Sequence, residues 1–115
     1  MIHQMKLQKD FFEKIESGEQ TIEIRLFDEK RKALRVGDII EFSKLPSLHK
    51  KIQVKILELL HYESFENLIK DFGMKFFGYN QEFLIDSFLK NLYNIYTKDD
   101  EKQFGVLGIK LKVLQ

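Results

Sequence analysis

The sequence predicts a small α+β domain, a mixed and largely antiparallel β-barrel with flanking helices. Three observations carry that expectation. Short runs of alternating apolar and polar residues recur along the chain, at 21–26, 39–42, 51–60 and 106–114. The second and third runs flank Pro46-Ser47 and so read as a hairpin. Two helical patterns stand consecutively between 64 and 96, which argues against parallel βαβ winding there.

The elements follow in order. Met5 to Leu7 reads as a short strand. Asp10 with Glu13 has capping-box spacing, and Phe11, Phe12 and Ile15 give the helix its apolar face. Gly18 ends that helix in the left-handed conformation glycine tolerates. In the strand from Thr21 to Leu26, Ile22, Ile24 and Leu26 face one way and Thr21, Glu23 and Arg25 the other. Asp28 to Leu34 is a charged loop or short helix, Val36-Gly37-Asp38 a turn, and Ile39 to Phe42 a strand. From Lys51 to Leu60 the alternation breaks at Ile56-Leu57, as a β-bulge would require. Ser64 caps a helix stopped by Gly73, with Phe65, Leu68, Ile69 and Phe72 on one face. Asn80 is the expected cap of a second helix, whose stripe runs from Leu84 to Tyr96. Thr97 caps a short charged turn, and Val106 to Leu114 is the last strand.

The chain of 115 residues forms one domain, 1–115, with no repeat and no linker. A chain this long buries roughly 65% of its unfolded surface, enough for a core without staples. It has no cysteine, which excludes disulfides and thiolate chemistry. No apolar run approaches the ~20 residues of a membrane helix, and the N-terminus lacks a signal-peptide layout. A soluble cytoplasmic protein is the expectation. The net charge is only +1, yet eight cations lie between Lys30 and Lys55 against Asp38 and Glu41 alone. One basic face on a neutral protein suits phosphate binding or a solvated surface. His3, His49 and His61 are scattered without metal-ligand spacing, so no metal or cofactor is expected.

The segment from Gly18 to Arg31 concentrates the chemistry. Arg25 offers a planar fork for phosphate or carboxylate, or an ion pair with Glu23 two residues away. Glu23 could orient Arg25, accept from a base edge or activate water. Thr21 suits a strand whatever its role. Gln20 could read an amide or sit in solvent. Lys30, Arg31, Lys32 and Arg35 form the densest cationic run, with one or two of them expected on phosphate. Phe76-Phe77-Gly78-Tyr79 reads as core more than as a stacking platform.

Ser17-Gly18, Thr21-Ile22-Glu23-Ile24-Arg25, Val36-Gly37-Asp38-Ile39-Ile40-Glu41-Phe42, Tyr62-Glu63-Ser64-Phe65 and Phe104-Gly105-Val106-Leu107-Gly108-Ile109 occur in that order. This pattern resembles the ASCH (activating signal cointegrator homology) domain across nearly the whole chain. The resemblance implies a PUA-like barrel and an RNA- or nucleoside-binding module, its cleft lined by the Gly18–Arg31 segment. The implied contacts are Gln20, Thr21, Glu23, Arg25, Lys30 and Arg31. Some small members are amidohydrolases acting on N4-acetylcytidine, which makes Glu23 and Thr21 the catalytic candidates of an alternative reading. In those hydrolases a lysine stands at the position of Gln20 and a catalytic threonine at that of Glu23. Their catalytic glutamate follows the first late helix, a region flanked here by Asp71 and Glu82.

Overall fold

The computed structural model describes residues 1–80 and 84–114. Strands β1 (Ile2–Leu7), β2 (Ile22–Leu26), β3 (Ile39–Lys44), β4 (Lys51–Tyr62) and β5 (Val106–Val113) form one sheet in the order β1-β3-β4-β5-β2. The β1–β3 pair is parallel and the other three pairs are antiparallel. The sheet curls into a half-barrel with β1 and β2 at its edges, the PUA-like α+β architecture.

Helix α1 (Lys9–Ser17) follows β1, and α2 (Glu29–Lys32) is a single turn after β2. Helix α3 (Phe65–Phe72), a 3₁₀ turn at Met74–Phe76, α4 (Ile85–Ile95) and α5 (Lys98–Phe104) lie between β4 and β5. Two cores result. Met5, Leu7, Phe42, Val54, Leu107 and Ile109 fill the barrel side with Phe12 and Ile15 of α1. Ile22, Ile24 and Leu26 meet Phe65, Leu68 and Ile69 of α3 and Phe88 and Leu92 of α4 on the outer side. Fully burying one such side chain contributes about 1.5–3 kcal/mol.

Local chemistry sets most boundaries. Gly18 closes α1 with φ 85°, and its N–H donates to the Ile15 carbonyl. Ser64 and Thr97 accept from the Asn67 and Asp100 N–H groups at the starts of α3 and α5. The bulge falls between Ile56 and Glu58, where the alternation breaks. Asp28 caps α2 by accepting from Arg31 N–H. Two expected caps are corrected. Helix α1 starts one residue before Asp10, with Gln8 at the cap position and no side-chain cap bond. Asp10 instead lies in the first turn, where its charge favours the helix dipole. Asn80 does not cap α4: Leu84 is extended (φ −71°, ψ 130°), so helical bonding begins at Ile85.

Candidate functional site

Strand alternation divides β2 into two sides. Its isoleucines enter the helix-side core, while Glu23 and Arg25 stand opposite Ile109 and Leu107 on the barrel side. Glu23 is only 5% exposed, so its charge requires a partner. Arg25 supplies it. Arg25 Nε and Nη2 each lie 2.9 Å from Glu23 Oε2, and the Ile24 N–H donates to Oε1 at 3.2 Å. Arg25 Nη2 also donates to the Lys6 carbonyl at 2.7 Å. That bond ties one edge strand of the half-barrel to the other. Burial acts to lower the Arg25 pKa, but Glu23, then Tyr96 and Asp28, outweigh it and hold the guanidinium above its ordinary value.

A cavity of about 140 Å³ opens beside this pair. Lys6 and Leu7 of β1, Phe11 of α1, and Glu23, Ile24 and Arg25 of β2 form one wall. Phe88, Leu92 and Ile95 of α4, with Tyr96 just beyond it, form the opposite wall. Gln8, Gln20 and Leu45 complete the lining. Pockets for drug-sized ligands run to about 300–1,000 Å³, whereas an engineered apolar cavity of about 150 Å³ holds benzene. The space here suits one ring. Burial raises the Tyr96 pKa; Arg25 opposes that shift and Glu23 reinforces it, so the phenol stays protonated beside the ion pair.

Gln20 borders the cavity as a buried polar residue. It is 2% exposed, so of its two expected settings the solvent-exposed one does not hold. Its Nε2 donates to the Ile22 carbonyl at 2.8 Å. A carbonyl can only accept, so the amide is held with its NH₂ group toward Ile22. Oε1 is then left buried without a hydrogen bond among the described residues.

A second concavity, a groove of about 580 Å³, adjoins the cavity through Lys6 and Arg25. Lys30 and Arg31 line it, with Gln4, Met5 and Ser43. Lys30 Nζ donates to the Gln4 carbonyl at 2.8 Å, and Arg31 Nη1 lies 3.1 Å from Asp28 Oδ2.

Of the residues singled out in the sequence, Gln20, Glu23 and Arg25 meet at the cavity, and Lys30 and Arg31 lie in the groove next to it. Thr21 does not join them. It lines a different concavity with Ile15, Gly18, Lys112 and Gln20, which borders both spaces, and its backbone is engaged by Phe76 and Leu111. Asp71 accepts from the Tyr62 hydroxyl at 2.7 Å and lines neither space. Glu82 lies outside the described residues. Phe77 is fully buried in the outer core, and Phe76 and Tyr79 pack against it. His61 meets Phe27 edge-on at 4.5 Å. Lys6, Phe11 and Tyr96 are the contributors that sequence reasoning passed over. Tyr96 read as the end of an apolar helix stripe, and nothing in the alternation of β1 marks Lys6.

The ASCH domain profile matches residues 5–115. The chain belongs to the ASCH domain family. Two solved structures share this ASCH fold. The crystal structure of hypothetical protein PH0355 is 30% identical, with a TM-score of 0.85 over 99% of this chain and 100% of that one. The solution NMR structure of protein PF0455 from Pyrococcus furiosus is 29% identical, with a TM-score of 0.79 over 100% of this chain and 99% of that one. No curated protein matches the sequence. Among the described residues of this ASCH domain, no helix is long and apolar enough to cross a membrane.

Proposed function

We propose that the cavity binds a single base, presented by a nucleoside or by an unpaired RNA residue. The observation that carries this reading is a one-ring cavity lined by three aromatic side chains and set against the buried Glu23–Arg25 pair. Phe11, Phe88 and Tyr96 supply aromatic surface in the same lining. Arg25 presents the charge that would orient a polar ring edge at the mouth.

The same geometry weighs on the amidohydrolase reading for N4-acetylcytidine. Glu23 is the only carboxylate lining the cavity among the described residues. One of its oxygens takes both Arg25 bonds and the other takes the Ile24 N–H. A base so engaged has little capacity left to accept a proton from water. Binding is therefore the reading we favour.

The test is an amide-shift titration of labelled protein with the four ribonucleosides and a short single-stranded RNA, at low and physiological salt. Shifts at Gln20, Glu23, Arg25 and Tyr96 that persist at the higher salt are expected. Shifts confined to surface lysines and lost with salt would refute the reading. Acetate release from N4-acetylcytidine, abolished in Glu23→Gln, would replace it with the hydrolase.

A further inference from the structure

We infer that the groove beside the cavity is a phosphate subsite, holding the phosphate of the nucleotide whose base occupies the cavity. This rests on the reading of the cavity above. The two spaces share Lys6 and Arg25, so a base in the cavity and a phosphate in the groove would lie on either side of the same two residues.

The backbone sets the spacing of the cations. Lys30 Nζ is held on the Gln4 carbonyl and Arg25 Nη2 on the Lys6 carbonyl. These carbonyls are two residues apart on one strand, about 6.6 Å at ~3.3 Å per residue. A phosphate reached by charge-assisted bonds of about 2.8 Å from either side bridges such a gap.

The groove also has cations to spare. Four line it: Lys6, Arg25, Lys30 and Arg31. Glu23 pairs with Arg25 and Asp28 with Arg31. Among the described residues no carboxylate pairs with Lys6 or Lys30. Lys30 spends one of its three donors on a neutral carbonyl. Among the described residues Arg31 Nε has no partner, but it is buried away from the groove's open space. Burial, then the neighbouring Arg31 and Arg25, push the Lys30 pKa down, with Asp28 opposing them.

The test compares nucleosides, their 5′-monophosphates, a dinucleotide and inorganic phosphate, on wild type and Lys30→Gln. The glutamine can keep the hydrogen bond to the Gln4 carbonyl while removing the charge, so folding is preserved. Monophosphates should bind about tenfold or more tightly than nucleosides, as one charge-assisted contact provides. That advantage should disappear in Lys30→Gln and shrink with salt. Equal affinity for nucleoside and monophosphate, or an advantage retained in Lys30→Gln, overturns the subsite. Inorganic phosphate shifting Lys6, Lys30 and Arg31 while no nucleoside binds would support the subsite and refute the base-binding cavity. A dinucleotide that gains over the monophosphate assigns the phosphate to an RNA backbone, and one that does not assigns it to a free nucleotide.

Discussion

Arg25 directs two nitrogens, Nε and Nη2, at one oxygen of Glu23, each at 2.9 Å. The two residues alternate with the core-facing isoleucines of β2, so a pair that would be solvated on an open sheet is enclosed on the barrel side. Breaking an enclosed pair from one end leaves an uncompensated charge. Arg25→Ala should lower unfolding free energy in urea by about 3–5 kcal/mol. Replacing both partners, as in Glu23→Gln with Arg25→Met, should recover most of that loss. A single-variant loss below about 1 kcal/mol would place the pair with ordinary surface ion pairs.

Gly108 lets α3 dock on the sheet. A Cβ built there would lie 3.0 and 3.2 Å from the Leu68 methyl carbons and 3.4 Å from Ile22 Cγ2. Gly108→Ala should therefore destabilise by about 1–3 kcal/mol through overpacking. Adding Leu68→Val should relieve part of it, which a double-mutant cycle would detect as non-additivity.

Tyr93 reports on the junction of α4 and α5. Its hydroxyl lies 2.8 Å from Glu101 Oε1, while Glu101 Oε2 accepts the Phe65 N–H at 2.8 Å. Burial, then the hydrogen bond to Glu101, push the Tyr93 pKa up to about 12. The unfolded phenol titrates near 10. The stabilisation is thus fully present below about 10 and is lost as pH rises from there through about 12. A phenolate absorbance difference between wild type and Tyr93→Phe should show this ionisation near 12. An ionisation near 10 would show that the Glu101 contact does not form in solution.

The fold was legible where local chemistry decides it. Ser64, Thr97 and Gly18 stand where caps are needed, and each does so through its own side chain or backbone freedom. The bulge at Ile56–Glu58 announced itself because a slipped strand must change phase. The site was less legible, because it is made by tertiary contact. Polar alternation in β2 placed Glu23 and Arg25 on one face but could not say that Lys6 of β1 and Tyr96 would close on that pair. The burial of Gln20 depends on its bridge to Phe77, distant in sequence. Asn80 failed as the cap of α4 because an extended Leu84 holds that position.

Asp38 ties down the start of the chain. It accepts from His3 Nε2 at 2.8 Å and from the Arg35 N–H at 3.2 Å, and the N-terminal ammonium lies 3.6 Å away. The His3 bond, with the ammonium and Arg35 N–H assisting against partial desolvation, lowers the Asp38 pKa. A lowered folded pKa gives stability that is present above the ordinary carboxylate range and lost as pH falls through the folded value. Asp38→Asn should flatten the acid limb of stability relative to wild type, measured by urea unfolding between neutral and strongly acidic pH. Parallel acid limbs would show that the contact contributes nothing.

The Lys30–Gln4 and Arg25–Lys6 bonds carry a consequence for the molecule in a crowd. They occupy carbonyls on a strand at the rim of an open sheet, where an unoccupied carbonyl row is a template for a foreign strand. The cations at the candidate binding site therefore also guard against self-assembly. A substitution there that leaves no donor would reopen the edge to a foreign strand, so ligand affinity and colloidal solubility draw on the same two side chains.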